Sequence, residues 1–139
     1  MKTLIVFYSY SGRTRTVAQE LAAKEAFDIT EIKAVKAFGK LKAYTAGIFA
    51  SIKGKQWPIL PLDVELSGYD RLMLLAPIWA GNPPPAFNAL LELLPPGKTI
   101  AVIMVSASGK SDCRERLETT IKEKGCTLES FSDVQVPRK

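Results

Sequence analysis

A doubly wound α/β sheet of five parallel strands, in the order 2-1-3-4-5, is the fold class that this sequence predicts. Three observations point to it. Aliphatic and β-branched runs alternate with longer segments of helical periodicity. The runs are too uniformly apolar for strands with one wet face, which is the pattern of a parallel sheet covered by helices on both sides. The chain has 139 residues, 47% apolar and 24% charged, enough for one packed core and too few for two ordinary domains. Residues 1–139 therefore read as a single domain.

The elements follow in order. Thr3 to Tyr8 is the first strand: the apolar run carries a single charge before it and ends in a Ser/Gly turn rather than a cleavage site, so it is not a signal peptide. A helix over Arg13 to Lys24 leads to a second strand, Asp28 to Ile32. Leu41, Tyr44, Ile48 and Ile52 recur at helical spacing and predict a helix over Lys40 to Gly54. Arg71 to Ala76 is the third strand. Pro84 and Pro85 suit the first turn of a helix reaching Leu94, and Pro95-Pro96-Gly97 stops it. Thr99 to Ser106 is the fourth strand. Asp112 with Glu115 resembles a capping box for a helix over Asp112 to Lys124, closed by Gly125. Leu128 to Val134 is a final strand, and Val136 to Lys139 a tail. Right-handed crossovers make the doubly wound order the economical topology.

Composition excludes much chemistry. The chain contains no histidine, which removes the usual general base of nucleophilic triads, the usual proton shuttle and the commonest metal ligand. Cys113 and Cys126 are too far apart for a CxxC pair or a zinc knuckle and read as reduced thiols. No metal site and no catalytic side chain is assigned. No apolar stretch reaches the roughly 18 residues needed to cross a bilayer, so the expected location is the cytoplasm. The net charge of +5 is local: Lys33, Lys36, Lys40, Lys42, Lys53 and Lys55 lie between Glu31 and Asp63 without one acid, and the rest of the chain is nearly neutral. That segment is either the solvated edge of an amphipathic helix or a docking patch for an acidic protein, a membrane surface or a phosphate-bearing ligand. Nucleic acid is not an expected partner, because no binding motif accompanies the lysines.

In a sheet of this order ligands sit beyond the carboxyl ends of the strands, where the strand order reverses. Three loops meet that edge. Ser9-Tyr10-Ser11-Gly12-Arg13-Thr14 gathers three small hydroxyls around a glycine at a helix start, a composition suited to an anion such as phosphate. Neither GxxxxGK[ST] nor GxGxxG is present, which argues against NTP hydrolysis and a dinucleotide site. Pro77-Ile78-Trp79-Ala80-Gly81-Asn82 follows the third strand, and Ser106-Ala107-Ser108-Gly109 the fourth.

The first loop resembles the phosphate loop of the flavodoxin family, [ST]-x-[ST]-G-x-T, at every fixed position, and the second resembles that family's flavin loop. The resemblance spans nearly the whole chain. It implies FMN as cofactor, with Ser9 to Thr14 holding the phosphate. Trp79 would stack on or border the ring, Ala80 to Asn82 would meet its N5 edge, and Ser106 to Gly109 would contact the pyrimidine end. A flip of the Ala80–Gly81 or Gly81–Asn82 peptide would let a carbonyl meet N5–H of a semiquinone. Redox partners, a reductase and an acceptor, are implied with it.

Three departures from the family bear on the reading. Electron-carrying flavodoxins are generally acidic, and this chain is basic; the third loop also lacks the tyrosine that often covers the second flavin face. The fifth helix is missing as well, which would leave a sheet face bare, so a second subunit in a homodimer or a tighter packing of the first helix is expected to cover it. Arg13 and Arg15 either favour a dianionic phosphate or extend into solvent. The reading reached is a low-potential FMN electron carrier cycling through semiquinone and hydroquinone. The alternatives are an NAD(P)H-dependent quinone or flavin reductase, and a flavin-free binding module that uses the lysine segment.

Overall fold

A computed structural model describes residues 1–34, 59–79 and 81–136. The expected helix over Lys40 to Gly54 lies outside the described residues, as do most of the lysine segment, Ala80 and the last three residues. Five strands, β1 (Thr3–Phe7), β2 (Asp28–Glu31), β3 (Arg71–Pro77), β4 (Thr99–Ser106) and β5 (Thr127–Gln135), form one parallel sheet in the order β2-β1-β3-β4-β5. Three α-helices are found among the described residues: α1 (Arg13–Glu25), α2 (Pro85–Glu92) and α3 (Arg114–Glu123). A short 3-10 turn, Leu66–Gly68, precedes β3.

Element ends shift where backbone chemistry overrides side-chain pattern. β1 stops at Phe7 rather than Tyr8, and β2 at Glu31 rather than Ile32, although both residues stay buried. β5 begins one residue earlier and ends one later than its apolar run, because the ladder to β4 continues through the exposed polar positions. Asp112 is not the N-cap of α3. That position falls to Cys113, and no side chain caps it. The other end of α3 follows the rule for glycine: Gly125, at φ +80°, donates to the Lys122 carbonyl, and Cys126 donates to that of Ile121. These paired bonds satisfy the last carbonyls of the helix as a Schellman motif does.

The two sheet faces are covered unequally. Leu4, Val6, Leu72, Leu74, Ile100, Val102 and Met104 share one face with Phe87, Leu90 and Leu91 of α2 and Leu117 and Ile121 of α3. The other face carries α1, whose Ala18 and Ala22 lie against Ile5, Phe7 and Leu75. Small alanines let this helix sit close to the strands.

Beside β5 that second face is polar instead of apolar. Ser130 and Ser132, opposite Ala101 and Ile103, are exposed. Arg71 lies along its amino edge: Nε donates to Thr3 Oγ1 at 3.1 Å, and Nη1 reaches Glu129 at 3.5 Å. Its guanidinium also sits 5.4 Å from the centre of the Phe27 ring. The strip of this face along β5 thus carries exposed polar side chains next to partly buried apolar ones such as Ile103. Glu129, beside the register shift between Ile100 and Ala101, puts a charge and an irregularity on the edge strand, two features that oppose edge-to-edge pairing.

Candidate functional site at the carboxyl edge of the sheet

β1 and β3 are neighbours with their connections running to opposite sides, so the loops after them open onto the switch point of the sheet. The first loop is organised by Ser9. Its Oγ accepts from the N–H of Gly12 at 3.0 Å and of Arg15 at 3.3 Å. This supplies the capping that Gly12, at the N-cap of α1, has no side chain to give. Gly12 has φ +98°, and a Cβ there would come no nearer than 3.9 Å to Arg15 Nη1. The left-handed backbone, and not crowding, is what calls for glycine.

Four further donors of this loop are unspent among the described residues. The N–H groups of Tyr10, Ser11, Arg13 and Thr14 meet no acceptor among the described residues. They flank the positive end of α1, so the loop is a ready seat for an anion. The two arginines are not equally free to join it. Arg15 grips Glu31 in two bonds, Nη2 to Oε2 at 2.6 Å and Nε to Oε1 at 3.2 Å, and the carboxylate holds its guanidinium more firmly protonated. Arg13 stays on the loop, its Nε 3.3 Å from Ser11 Oγ. The Arg15 side chain remains 43% exposed in its pair with Glu31.

In the second loop Pro77 ends β3, and the half-buried Ile78 and Trp79 pack against the main core. Trp79 and Asn82 exchange backbone bonds, Trp79 N–H to the Asn82 carbonyl at 2.7 Å and Asn82 N–H to the Trp79 carbonyl at 3.2 Å. Gly81 within this turn has φ +83°. Two tyrosines meet the Trp79 ring edge-on, Tyr8 at 6.4 Å and Tyr10 at 5.7 Å between centroids, an arrangement that aromatic quadrupoles favour. Burial pushes the Tyr8 phenol above its ordinary pKa, with smaller contributions from Tyr10 and Glu31.

The third loop is closed on itself and on its neighbours. Ser106 Oγ accepts from Gly109 N–H at 2.9 Å, and Ser108 Oγ from Lys110 N–H at 3.3 Å. The Ala107 carbonyl takes a bond from Gln135 Nε2 at 3.1 Å, and that of Ser106 one from Val136 N–H at 2.8 Å. Asp112 N–H donates to the Gly81 carbonyl at 2.7 Å, joining the third loop to the second. Arg116 of α3 reaches Asn82 Oδ1 and the buried Asn88 Oδ1, each at 3.4 Å. Among the described residues Ser111 Oγ is buried without a partner of conventional geometry. Its nearness to the Cys113 thiol offsets part of the upward push that burial gives that thiol. A buried, protonated thiol of this kind is an inert packing group.

The structure brings Ser9 to Thr14 together with Trp79, Gly81 and Asn82 through Tyr8 and Tyr10. Ser106 to Gly109 is joined to the second loop through Asp112. Tyr8, Glu31, Asp112, Arg116 and Gln135 were not legible as members. Tyr8 reads as strand, Asp112 as a cap, and Gln135 lies past the expected end of the last strand. Among the described residues no group of three or more His, Cys, Asp or Glu is placed to hold a metal ion. No helix there is long and apolar enough to cross a membrane.

No protein-family model matches the chain, and no curated protein matches it at a significant level. Solved structures do. A flavoprotein from Lactobacillus acidophilus, crystallised in complex with FMN, superposes with a TM-score of 0.73 at 23% identity, over 94% of this chain and 91% of that one. Oxidised flavodoxin 2 from Bacillus cereus gives 0.59 at 18% identity over 99% and 86%, and oxidised flavodoxin 1 from the same organism 0.57 at 20% identity over 100% and 87%. The likeness is one of fold: the five parallel strands of this chain, in their 2-1-3-4-5 order and flanked by helices on both faces, adopt the flavodoxin-like fold.

Proposed function

We propose that this chain is an FMN-binding redox protein that carries electrons singly between a reductase and an acceptor, in the cytoplasm. The observation that carries the reading is the first loop. Four N–H groups without acceptors among the described residues surround the amino end of α1, beside a tryptophan and two tyrosines. A phosphate ester and a planar ring together fit such a pairing of donors with aromatics.

When bound, FMN supplies the ring that stores and releases electrons; the protein supplies position and field. The amides of Tyr10, Ser11, Arg13 and Thr14 hold the phosphate, and Ser9 keeps the start of α1 in shape for them. Trp79, steadied by Tyr8 and Tyr10, borders the ring. An electron-rich indole beside the ring opposes added negative charge there, which lowers the reduction potential. No step needs a titrating side chain, in keeping with a chain that has no histidine.

Apoprotein mixed with FMN should turn yellow and retain the cofactor through dialysis, with roughly micromolar or tighter affinity by calorimetry. Anaerobic photoreduction should then pass through the long-wavelength absorbance of a flavin radical. Direct bleaching to the two-electron form, with rapid oxidation of NAD(P)H, would establish a reductase instead. A preparation that stays colourless would leave the flavin-free binding module.

A further inference from the structure

We propose that Asp112 is a positioning residue for the Trp79–Asn82 turn: its amide locks the Gly81–Asn82 peptide, and its carboxylate opposes negative charge on a ring bound there. The proposal rests on the FMN reading for the carboxylate and stands without it for the amide.

Geometry carries the first half. The bond from Asp112 N–H to the Gly81 carbonyl, at 2.7 Å, is at the short end for an amide donor. Rotating the Gly81–Asn82 peptide would break it. The turn is braced at its other points as well, by the two backbone bonds between Trp79 and Asn82 and by the longer contact of Arg116 with Asn82 Oδ1. Of the two peptide flips that a glycine in this loop invites, the one at Gly81–Asn82 is therefore opposed.

Proximity carries the second half. A Cβ added at Gly81 would lie 3.2 Å from Asp112 Oδ2 and 3.3 Å from Asp112 Cβ. The carboxylate thus packs against the bare α-carbon of the turn, with no side chain between. Removing its charge while keeping its shape should favour the more negative, reduced form of a ligand at that turn. Asp112 is exposed, so water screens the effect to about fivefold.

Amide hydrogen exchange tests the lock directly. In apoprotein, and in the oxidised and reduced FMN complexes, the Asp112 amide should exchange at least about tenfold more slowly than an unprotected amide of the same sequence context. Exchange at the unprotected rate in the apoprotein, or loss of protection on reduction, would overturn the lock. For the charge, Asp112→Asn should leave the apoprotein melting temperature unchanged and raise the affinity for reduced over oxidised FMN about fivefold, with Asp112→Glu returning the ratio toward the original. An unchanged ratio would overturn that half. If the wild-type protein takes up no FMN, the FMN reading and the charge effect fall together, and exchange in the apoprotein still decides the lock.

Discussion

The phosphate end and the ring end of the site are built on opposite plans. In the first loop one hydroxyl, that of Ser9, satisfies two amides, and four others find no acceptor among the described residues. In the second and third loops backbone groups are spent within the protein: Trp79 and Gly81 on the backbones of Asn82 and Asp112, Ala107 on the Gln135 side chain, and Gly109 on the Ser106 hydroxyl. The first region is an open set of donors whose partner must come from outside. The second is a wall already stiffened before any ligand arrives, which limits the entropy lost when a rigid ring docks against it. A site of this kind draws affinity from one end and orientation from the other.

The contrast can be broken most severely at the open end. Ser11→Asp places a carboxylate among the unspent amides and should weaken FMN binding by about a hundredfold or more, through both repulsion of the phosphate and occupation of its donors. Ser11 is exposed, so the melting temperature should hardly move. Calorimetry that finds the affinity intact would place the phosphate elsewhere.

At the stiff end the corresponding lesion strikes folding instead. Gly81→Ala forces a side chain onto φ +83° and brings its Cβ to 3.2 Å from Asp112. A loss of about 2 kcal/mol in urea denaturation is expected. Stability unchanged by this variant would mean that the turn relaxes freely and is no wall.

Ser9→Ala sharpens the comparison at smaller scale. It releases the amides of Gly12 and Arg15 and should cost the apoprotein about 1 kcal/mol, as loss of an N-cap does. Equal denaturation midpoints for the two proteins would show that water replaces the hydroxyl without loss.

The smallest effect belongs to Tyr8, where the two ends meet. Its phenol has a higher pKa folded than unfolded, so the stability it contributes is complete below about pH 10, the unfolded value. That contribution is lost as pH rises through the folded value. Tyr8→Phe should remove this part of the alkaline destabilisation, seen as a flatter stability profile above pH 10.

Much of this architecture could be read along the chain, because it is written in local pattern. The runs Leu72 to Ala76 and Ile100 to Val105 are apolar without interruption, and only a sheet covered on both faces tolerates that. Ser9, Ser11, Gly12 and Thr14 form a contiguous cluster, so the donor loop declared itself. The polar strip along β5 was not foreseen: Ser130 and Ser132 take their place on that face through their register with Ala101 and Ile103.

The stiff end was invisible for the same reason. Asp112 stands thirty-one positions after Gly81, and Gln135 stands twenty-eight after Ala107. Nothing in the neighbourhood of any of these residues announces its partner. Periodicity and turn chemistry act between residues a few positions apart, and they decided the strands, the helices and the anion loop. Bonds between distant loops exist only once the strands are in register, so tertiary structure alone decided which amides were spent and which were left for a ligand.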